Sequence, residues 1–414
     1  MIGTIAFDHG DDPALVGRLT HYQRTTLEDI AACGTAACGL HEEVCDTCGD
    51  RRQVPNTCGN RSCPHCQGRQ RAAWVSARMG ELLLCSYFHV VLTLPSELRD
   101  LAKAYPRAIL NALLVAAGDA INNLCRDPKH LGAEVGMLEV LHTWRRDLGY
   151  HPHVHIIVTA GGWDDQRQRW VPARRYGRKR RQFLLPVDLL RDTFKRHLTR
   201  QILDAYDDGK FTDGADFFPV LASRVTLRDH LKKIQDKTWC IHIKPPFGGP
   251  QQLLKYLGAY VNRVAISPQR ITAYDPDAGT VTYTWNTNAE PDQTQQATLT
   301  AIEFLARFAQ HILPPGFQRI RFRGLWCTAH RKTKLRRVQA ILGTQPTTEP
   351  EPSPPPPPPP PEDDPTFCHV CGKGHYQRIG QPYPRPCRSD RRKTLRELRK
   401  SKRTPTPTEA TTPA

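Results

Sequence analysis

Tyr256 and Tyr260 stand four residues apart in the run Lys255-Tyr-Leu-Gly-Ala-Tyr260, with Asn262 and Arg263 directly after. On a helix that spacing sets both hydroxyls on one face, about a turn apart. Most such pairs simply pack against a core. A tyrosine oxygen can also attack a phosphodiester and keep the product as a covalent phosphotyrosine, and Lys255 and Arg263 would then offer positive charge to the phosphate. Arg263 reads equally well as a solvated residue at a helix end. A second pair lies upstream in His153-Val154-His155, inside the apolar stretch Val154-His-Ile-Ile-Val158. Alternate residues of a strand share a face, so the two imidazoles could bind a divalent metal, which would polarise a phosphoryl oxygen. His142, on a candidate neighbouring strand, could face the same ion or be an ordinary core histidine. His151 sits beside Pro152, in the loop. By itself a His-x-His pair is more often structural or exposed.

Of the fourteen cysteines, five fall between Cys45 and Cys66. Cys45-x-x-Cys48 and Cys63-x-x-Cys66 each bring two sulfurs to one side of an ion, and zinc takes four soft ligands in a tetrahedron. These four read as a structural zinc site, with Cys58 or His65, and then Cys33 or Cys38, as substitutes for one ligand. Buried free thiols would not need the paired spacing. Arg51, Arg52, Arg61, Arg69, Arg71 and Arg78 surround the site and would make the module a phosphate-contacting, DNA-binding surface. Further on, Cys368-x-x-Cys371 with His375 and Cys387 reads as a second zinc knuckle, or else as incidental thiols in a tail. An even cysteine count would permit disulfides, but a cytosolic chain keeps thiols reduced, and clustering favours metal.

The elements that would position these groups alternate irregularly. Strand patterns occur at Tyr87 to Leu94, Gly136 to Trp144 and His153 to Thr159, the last two joined by a hairpin loop over Arg145 to Pro152. Leu101 to Leu124 has apolar residues at helical spacing despite Pro106, and Val187 to Tyr206 is amphipathic. A short strand at Trp239 to Lys244 meets a turn-rich stretch, with a helix starting near Gln251. Val281 to Trp285 suggests a hairpin strand and Leu299 to Leu313 another helix. Strands and helices mix without βαβ order, so the expected class is α+β with an antiparallel sheet. The expected domains are a zinc module at 1–80, a catalytic domain at 81–344, a polyproline linker at 345–366 and a basic, disordered tail with the second knuckle at 367–414. Eight consecutive prolines, Pro354 to Pro361, define the linker.

Charge points to the partner. With 58 Lys and Arg against 41 Asp and Glu, the formal charge is +17, which favours a polyanion, nucleic acid before an anionic membrane. The basic run Arg174-Arg-Tyr-Gly-Arg-Lys-Arg-Arg181 concentrates it. Met1 to Asp12 has no signal-peptide pattern, and no apolar run is expected to approach the ~18 residues that cross a bilayer. A cytoplasmic, nucleoid-associated protein is expected.

The order of the two weak pairs is more specific than either alone. His153-Val-His155, followed about a hundred residues later by Tyr256 and Tyr260, resembles the HUH endonucleases with two tyrosines, which include rolling-circle replication initiators, relaxases and transposases. More closely, the chain is similar to rolling-circle insertion-sequence transposases in several stretches. These are Cys45 to Trp74, Tyr87 to Pro95, Leu141-His-Thr-Trp144, His151-Pro-His-Val-His155, Lys244-Pro-Pro-Phe-Gly-Gly-Pro250, Tyr256 to Ser267 and Leu313 to Arg321. The resemblance spans roughly residues 15 to 340 and implies a central antiparallel sheet with the histidine pair on a middle strand and the tyrosine helix beside it. His153 and His155 would bind Mg²⁺ or Mn²⁺, and Tyr256 and Tyr260 would be the nucleophiles. The third ligand varies across that superfamily, leaving His142 a candidate. Arg145-Arg146 departs from the smaller polar residues usual there, without touching a catalytic position.

The resemblance implies nicking and rejoining of single-stranded or hairpin DNA at element ends through a 5′-phosphotyrosine. The chain has no G-x-x-x-x-G-K-[ST] loop, so strand separation would fall to a host helicase and replication machinery. The rival readings are a plasmid replication initiator or relaxase, a non-enzymatic zinc-dependent DNA-binding regulator, and a small-substrate metallohydrolase.

Overall fold

The structure is a computed structural model of the chain and describes residues 1–67, 80–176, 181–212, 214–247, 264–286, 293–343, 366–380 and 386–403. These fall into two compact units. One draws on 1–68, 266–312 and 348–414, the other on 69–265 and 313–347. The class is α+β, as expected, and its sheets are antiparallel.

The larger unit is built on a six-stranded sheet. Its order runs Ile320–Gly324, Glu134–Trp144, Tyr150–Asp164, Tyr87–Thr93, Ile241–Phe247, with Arg169–Pro172 pairing the far end of the long Tyr150–Asp164 strand. Side chains alternate across the sheet. Val154, Ile156 and Val158, with Val90, Leu92, Met137 and Leu141, enter a core formed with the helices Pro106–Arg126, Val187–Asp207 and Arg224–Gln235. The other face carries Tyr87, Leu138, Val140 and Ile157 beneath Leu325, Trp326, Leu335 and Val338.

Pro106 corrects one boundary. The helix expected to run through it is two, Arg99–Ala104 and Pro106–Arg126, with the proline at the first position of the second, where a missing N–H leaves nothing unsatisfied. Pro106–Arg126 is also long and apolar enough to cross a bilayer, yet most of it is buried in this core. The hairpin turn after Trp144 explains Arg145: its guanidinium pairs with Asp147 at 2.7 Å, and its N–H donates to the Gly149 carbonyl.

The smaller unit is assembled from distant stretches. The hairpin Leu40–Cys45/Arg51–Pro55 gains a third strand, Tyr376–Arg378. A second three-stranded sheet, Ile271–Asp275, Thr280–Asn286 and Thr294–Thr300, leads into the helix Ala301–Ala309, which Thr300 caps by accepting from the Glu303 N–H. So residues 266–312 fold with the N-terminal segment rather than with the six-stranded sheet. The tail expected to be disordered contains the helix Arg388–Arg403. Its arginines meet acids of the N-terminal helices Ile2–His9 and His21–Ala32: Arg391 with Asp29 at 2.8 Å and Arg392 with Glu28 at 2.5 Å. Arg399 donates to the Ala6 and Phe7 carbonyls at 2.8 and 2.7 Å, adding side-chain donors to the last turn of the helix Ile2–His9. Matching charge, which composition alone does not reveal, orders the segment.

Candidate active site and metal centres

Strand register assembles the histidines. His142 lies directly opposite His153, and Val140 opposite His155, while Thr93 and Val91 flank those positions from the other neighbour. Opposed residues share a face, so three imidazoles converge at one end of the face that buries Ile157 and Leu138. One ligand nitrogen from each of His142, His153 and His155 lies within 4.8 Å of the others. The Nε2 atoms of His153 and His155 are 3.0 Å apart. Two ligands at right angles on bonds of about 2.1 Å stand about 3.0 Å apart, so this spacing is that of adjacent octahedral vertices.

The remaining ring nitrogens of His153 and His155 are tied down as those of metal ligands usually are. His153 Nδ1 donates to the His151 carbonyl at 2.7 Å. His155 Nδ1 faces His89 Nε2 at 2.9 Å. His142 stacks on Trp144 with centroids 4.6 Å apart, and His151 instead accepts from Arg99 at 2.9 Å. Burial, then the charge of His142, holds His155 well below the ordinary imidazole range. Burial lowers His153 as well, and His89 is pushed down to about 3 by burial and by Lys244. Neutral imidazole is the ligating form. His153 and His155 remain half-buried, so the donors are reachable from outside. The set is all nitrogen; phosphate or water oxygens would have to fill the other positions for Mg²⁺ or Mn²⁺.

The cysteines form two groups, but with other members than the two expected sites. Cys63 and Cys66 converge with Cys33 and Cys58, whereas Cys45 and Cys48 lie with Cys368 and Cys371. In the first group Cys66 Sγ stands 3.7 Å from Cys33 Sγ and 3.6 Å from Cys58 Sγ. Four zinc–sulfur bonds of 2.3 Å give a tetrahedral edge of about 3.8 Å, whereas a disulfide needs about 2.05 Å. The Gly59, Asn60 and Cys58 N–H groups donate to these sulfurs at 3.2 to 3.4 Å. His65 stays outside the set, its Nδ1 3.5 Å from Cys33 Sγ. The pairing of Cys45-Cys48 with Cys63-Cys66 fails because the hairpin Leu40–Cys45/Arg51–Pro55 carries the first pair away from the second.

Comparison with known proteins adds the family. Residues 136–334 match the family described as "Putative transposase", and residues 5–94 the "Transposase zinc-binding domain". The chain is 37% identical over 325 residues to "Putative transposase y4qJ" of Sinorhizobium fredii, covering 78% of this chain and 79% of that one. It is 29% identical over 326 residues to the "Transposase for insertion sequence element IS801" of Pseudomonas savastanoi pv. phaseolicola, covering 74% and 71%. The chain belongs to the insertion-sequence transposases. No solved structure matches the transposase.

Against this background the site residues sort clearly. The zinc-binding match of the transposase encloses Cys33, Cys58, Cys63 and Cys66, a donor set made for structural zinc. His142, His153 and His155 fall within the larger match. Tyr256, Tyr260, Lys255, Arg263 and Arg69 lie outside the described residues. Arg61 sits on the turn between Cys58 and Cys63, its carbonyl accepting from Gln67. Arg51 and Arg52 pair across the hairpin with Glu42 and Glu43 at 3.2 and 2.7 Å, so part of the basic surface expected there is committed internally. His375 and Cys387 do not join Cys368 and Cys371: the His375 ring meets Thr366, and Cys387 Sγ meets Asp390 at 2.9 Å. Two residues beside the site were not singled out as site residues in the sequence, His89 and Lys244. Counting by twos along Tyr87 to Leu94 would have put His89 on one face of its strand, but not beside His155.

Proposed function

We propose that the transposase is a metal-dependent tyrosine nickase and strand transferase for single-stranded DNA, working at the ends of its element in rolling-circle transposition. The observation that carries this is the convergence of His142, His153 and His155 on a solvent-reachable end of the sheet. It is supported by chain order: Phe247 ends a strand of that sheet nine residues before Tyr256 in sequence. A divalent ion on the three imidazoles would polarise the scissile phosphate and lower the barrier to attack. His89 and the His151 carbonyl hold the ligating rings in the required tautomer. Lys244, whose charge already acts on His89 and His155, would draw the phosphodiester toward the same face. Tyr256 or Tyr260 attacks phosphorus: a tyrosine O–P bond forms, the P–O3′ bond breaks, and the phenol proton is lost as the 3′ oxygen gains one. The products are a 5′-phosphotyrosine and a free 3′-OH. The other tyrosine, or a 3′-OH, reverses the step on a new strand, so bond energy is conserved without ATP. Lys255, Arg263, Arg61 and Arg69 would contact the DNA backbone, whose binding should weaken with salt. Strand separation is assigned to a host helicase, and the site of action to the nucleoid.

The test incubates the transposase with labelled single strands from both element ends and Mn²⁺, followed by a denaturing gel. Label should migrate with the protein, and should vanish with Tyr256→Phe/Tyr260→Phe and with His153→Ala. Tight DNA binding by folded, metal-loaded protein without any adduct would overturn the reading and favour a DNA-binding regulator.

A further inference from the structure

We propose that Cys45, Cys48, Cys368 and Cys371 hold a second structural zinc ion, which stitches the C-terminal segment into the zinc-binding domain. Two of its ligands lie far beyond residue 94, where the match to that domain ends.

The two Cys-x-x-Cys turns are built alike. Each is followed by a glycine in the left-handed region, Gly49 at φ 74° and Gly372 at φ 64°, a conformation that side chains avoid. In each, that glycine N–H donates to the carbonyl of the first cysteine, at 3.1 Å to Cys45 and 3.0 Å to Cys368. Backbone N–H groups then point at sulfur: Thr47 and Cys48 to Cys45 Sγ at 3.4 and 3.5 Å, Gly374 to Cys371 Sγ at 3.3 Å. Donors aimed at sulfur favour the thiolate, the ligating form. Across the two turns, Cys45 Sγ is 3.8 Å from Cys371 Sγ and Cys48 Sγ is 3.7 Å from Cys368 Sγ. Those are tetrahedral zinc–sulfur edges of about 3.8 Å.

The protein itself brings the turns together. The Tyr376–Arg378 strand pairs with Leu40–Cys45, placing Tyr376 opposite Cys45. Asp46 and His375 exchange backbone and carboxylate hydrogen bonds at 3.1 and 2.9 Å. Tyr376 donates to Asp50 at 2.5 Å, and Arg52 lies 3.8 Å over its ring. Gly374 makes the approach feasible, because a Cβ there would stand 2.6 Å from Cys45 Sγ. Four thiols gathered so closely, with Cys45 and Cys368 fully buried, repel as thiolates unless a cation sits among them.

The test measures zinc per chain in purified protein carrying His153→Ala/His155→Ala, which removes the histidine centre as a source of metal. The proposal expects two zinc ions in that parent, one after adding Cys368→Ser/Cys371→Ser, and one after adding Cys58→Ser/Cys63→Ser instead. One zinc in the parent, or two retained by the folded Cys368→Ser/Cys371→Ser protein, would overturn it. Should a cysteine variant fail to fold, Co²⁺ titration of the metal-free parent decides. The absorption of tetrahedral cobalt thiolate should saturate at two equivalents, and saturation at one refutes the second site.

Discussion

His89 is a buried side chain that, in the proposed mechanism, would act through another residue. It holds His155 Nδ1 at 2.9 Å, and partners of this kind are worth roughly 10- to 100-fold in metal affinity. His89→Ala should therefore raise the Mn²⁺ concentration needed for half-maximal nicking by about that factor and restore activity at saturating Mn²⁺, whereas His153→Ala should not be rescued. An unchanged Mn²⁺ requirement in His89→Ala would remove it from the site. Glu139 raises a different question. It lies on the helix-covered face, fully buried, 2.7 Å from Arg323. Burial pushes its carboxyl up to about 7 against the pull of Arg323. A carboxyl raised on folding stabilises fully below its unfolded value and loses that contribution as pH rises to 7. Glu139→Gln should thus gain on the parent between about pH 4.5 and 7, by roughly 3 kcal/mol at most. Denaturant curves at the two pH values check it; a constant difference would mean that Glu139 stays ionised throughout.

At the scale of elements, Glu139 and the helix Pro106–Arg126 are fitted to one another through Gly118. A Cβ at Gly118 would stand 2.0 Å from Glu139 Oε1 and 2.5 Å from Arg323 Nε. Alanine is the better helix former by about 1 kcal/mol, yet overpacking costs about 1–3 kcal/mol. Gly118→Ala should lower stability on balance, and a more stable Gly118→Ala protein would show that the ion pair has room to move. The sequence announces the helix through its apolar spacing but says nothing of this glycine, whose reason lies on another strand. The same divide runs through the site. His153 and His155 were legible as a same-face pair because a strand's period is two. His142 was legible only as a candidate, since joining it to them needs the hairpin register. Cys33 and Cys58 carry no pair spacing of their own, and Cys45 and Cys48 find their partners some 320 residues away, where no local pattern reaches.

Two units with separate cores should respond separately to loss of metal at the level of the whole molecule. Zinc bound to cysteine supports folding outright in small domains, and the cysteine groups belong to the unit built from both ends of the chain. The larger unit rests on its own apolar cores. A strong chelator should therefore lower one calorimetric transition by more than about 10 °C and leave the other within about 2 °C, the scale set by a few kcal/mol in domains of this size. A single transition that moves as one would mean that the units unfold together. The sequence divides at its proline run and suggests a folded body with a loose tail. The structure uses the segment beyond the prolines as a wall of the first domain, because its arginines meet Glu28, Asp29 and Asp11 and Lys402 meets Asp8.

That return of the chain to its beginning has a consequence in time. During synthesis Cys45 and Cys48 emerge early, and the strand and thiols that complete their surroundings follow only some 320 residues later. At about 5–20 residues per second, the hairpin waits on the order of tens of seconds with an open edge. A chain broken off by a premature stop never closes it. Only a chain made at least as far as Arg378 yields a finished first domain, so the fold itself distinguishes chains that reach this strand from those that stop before it.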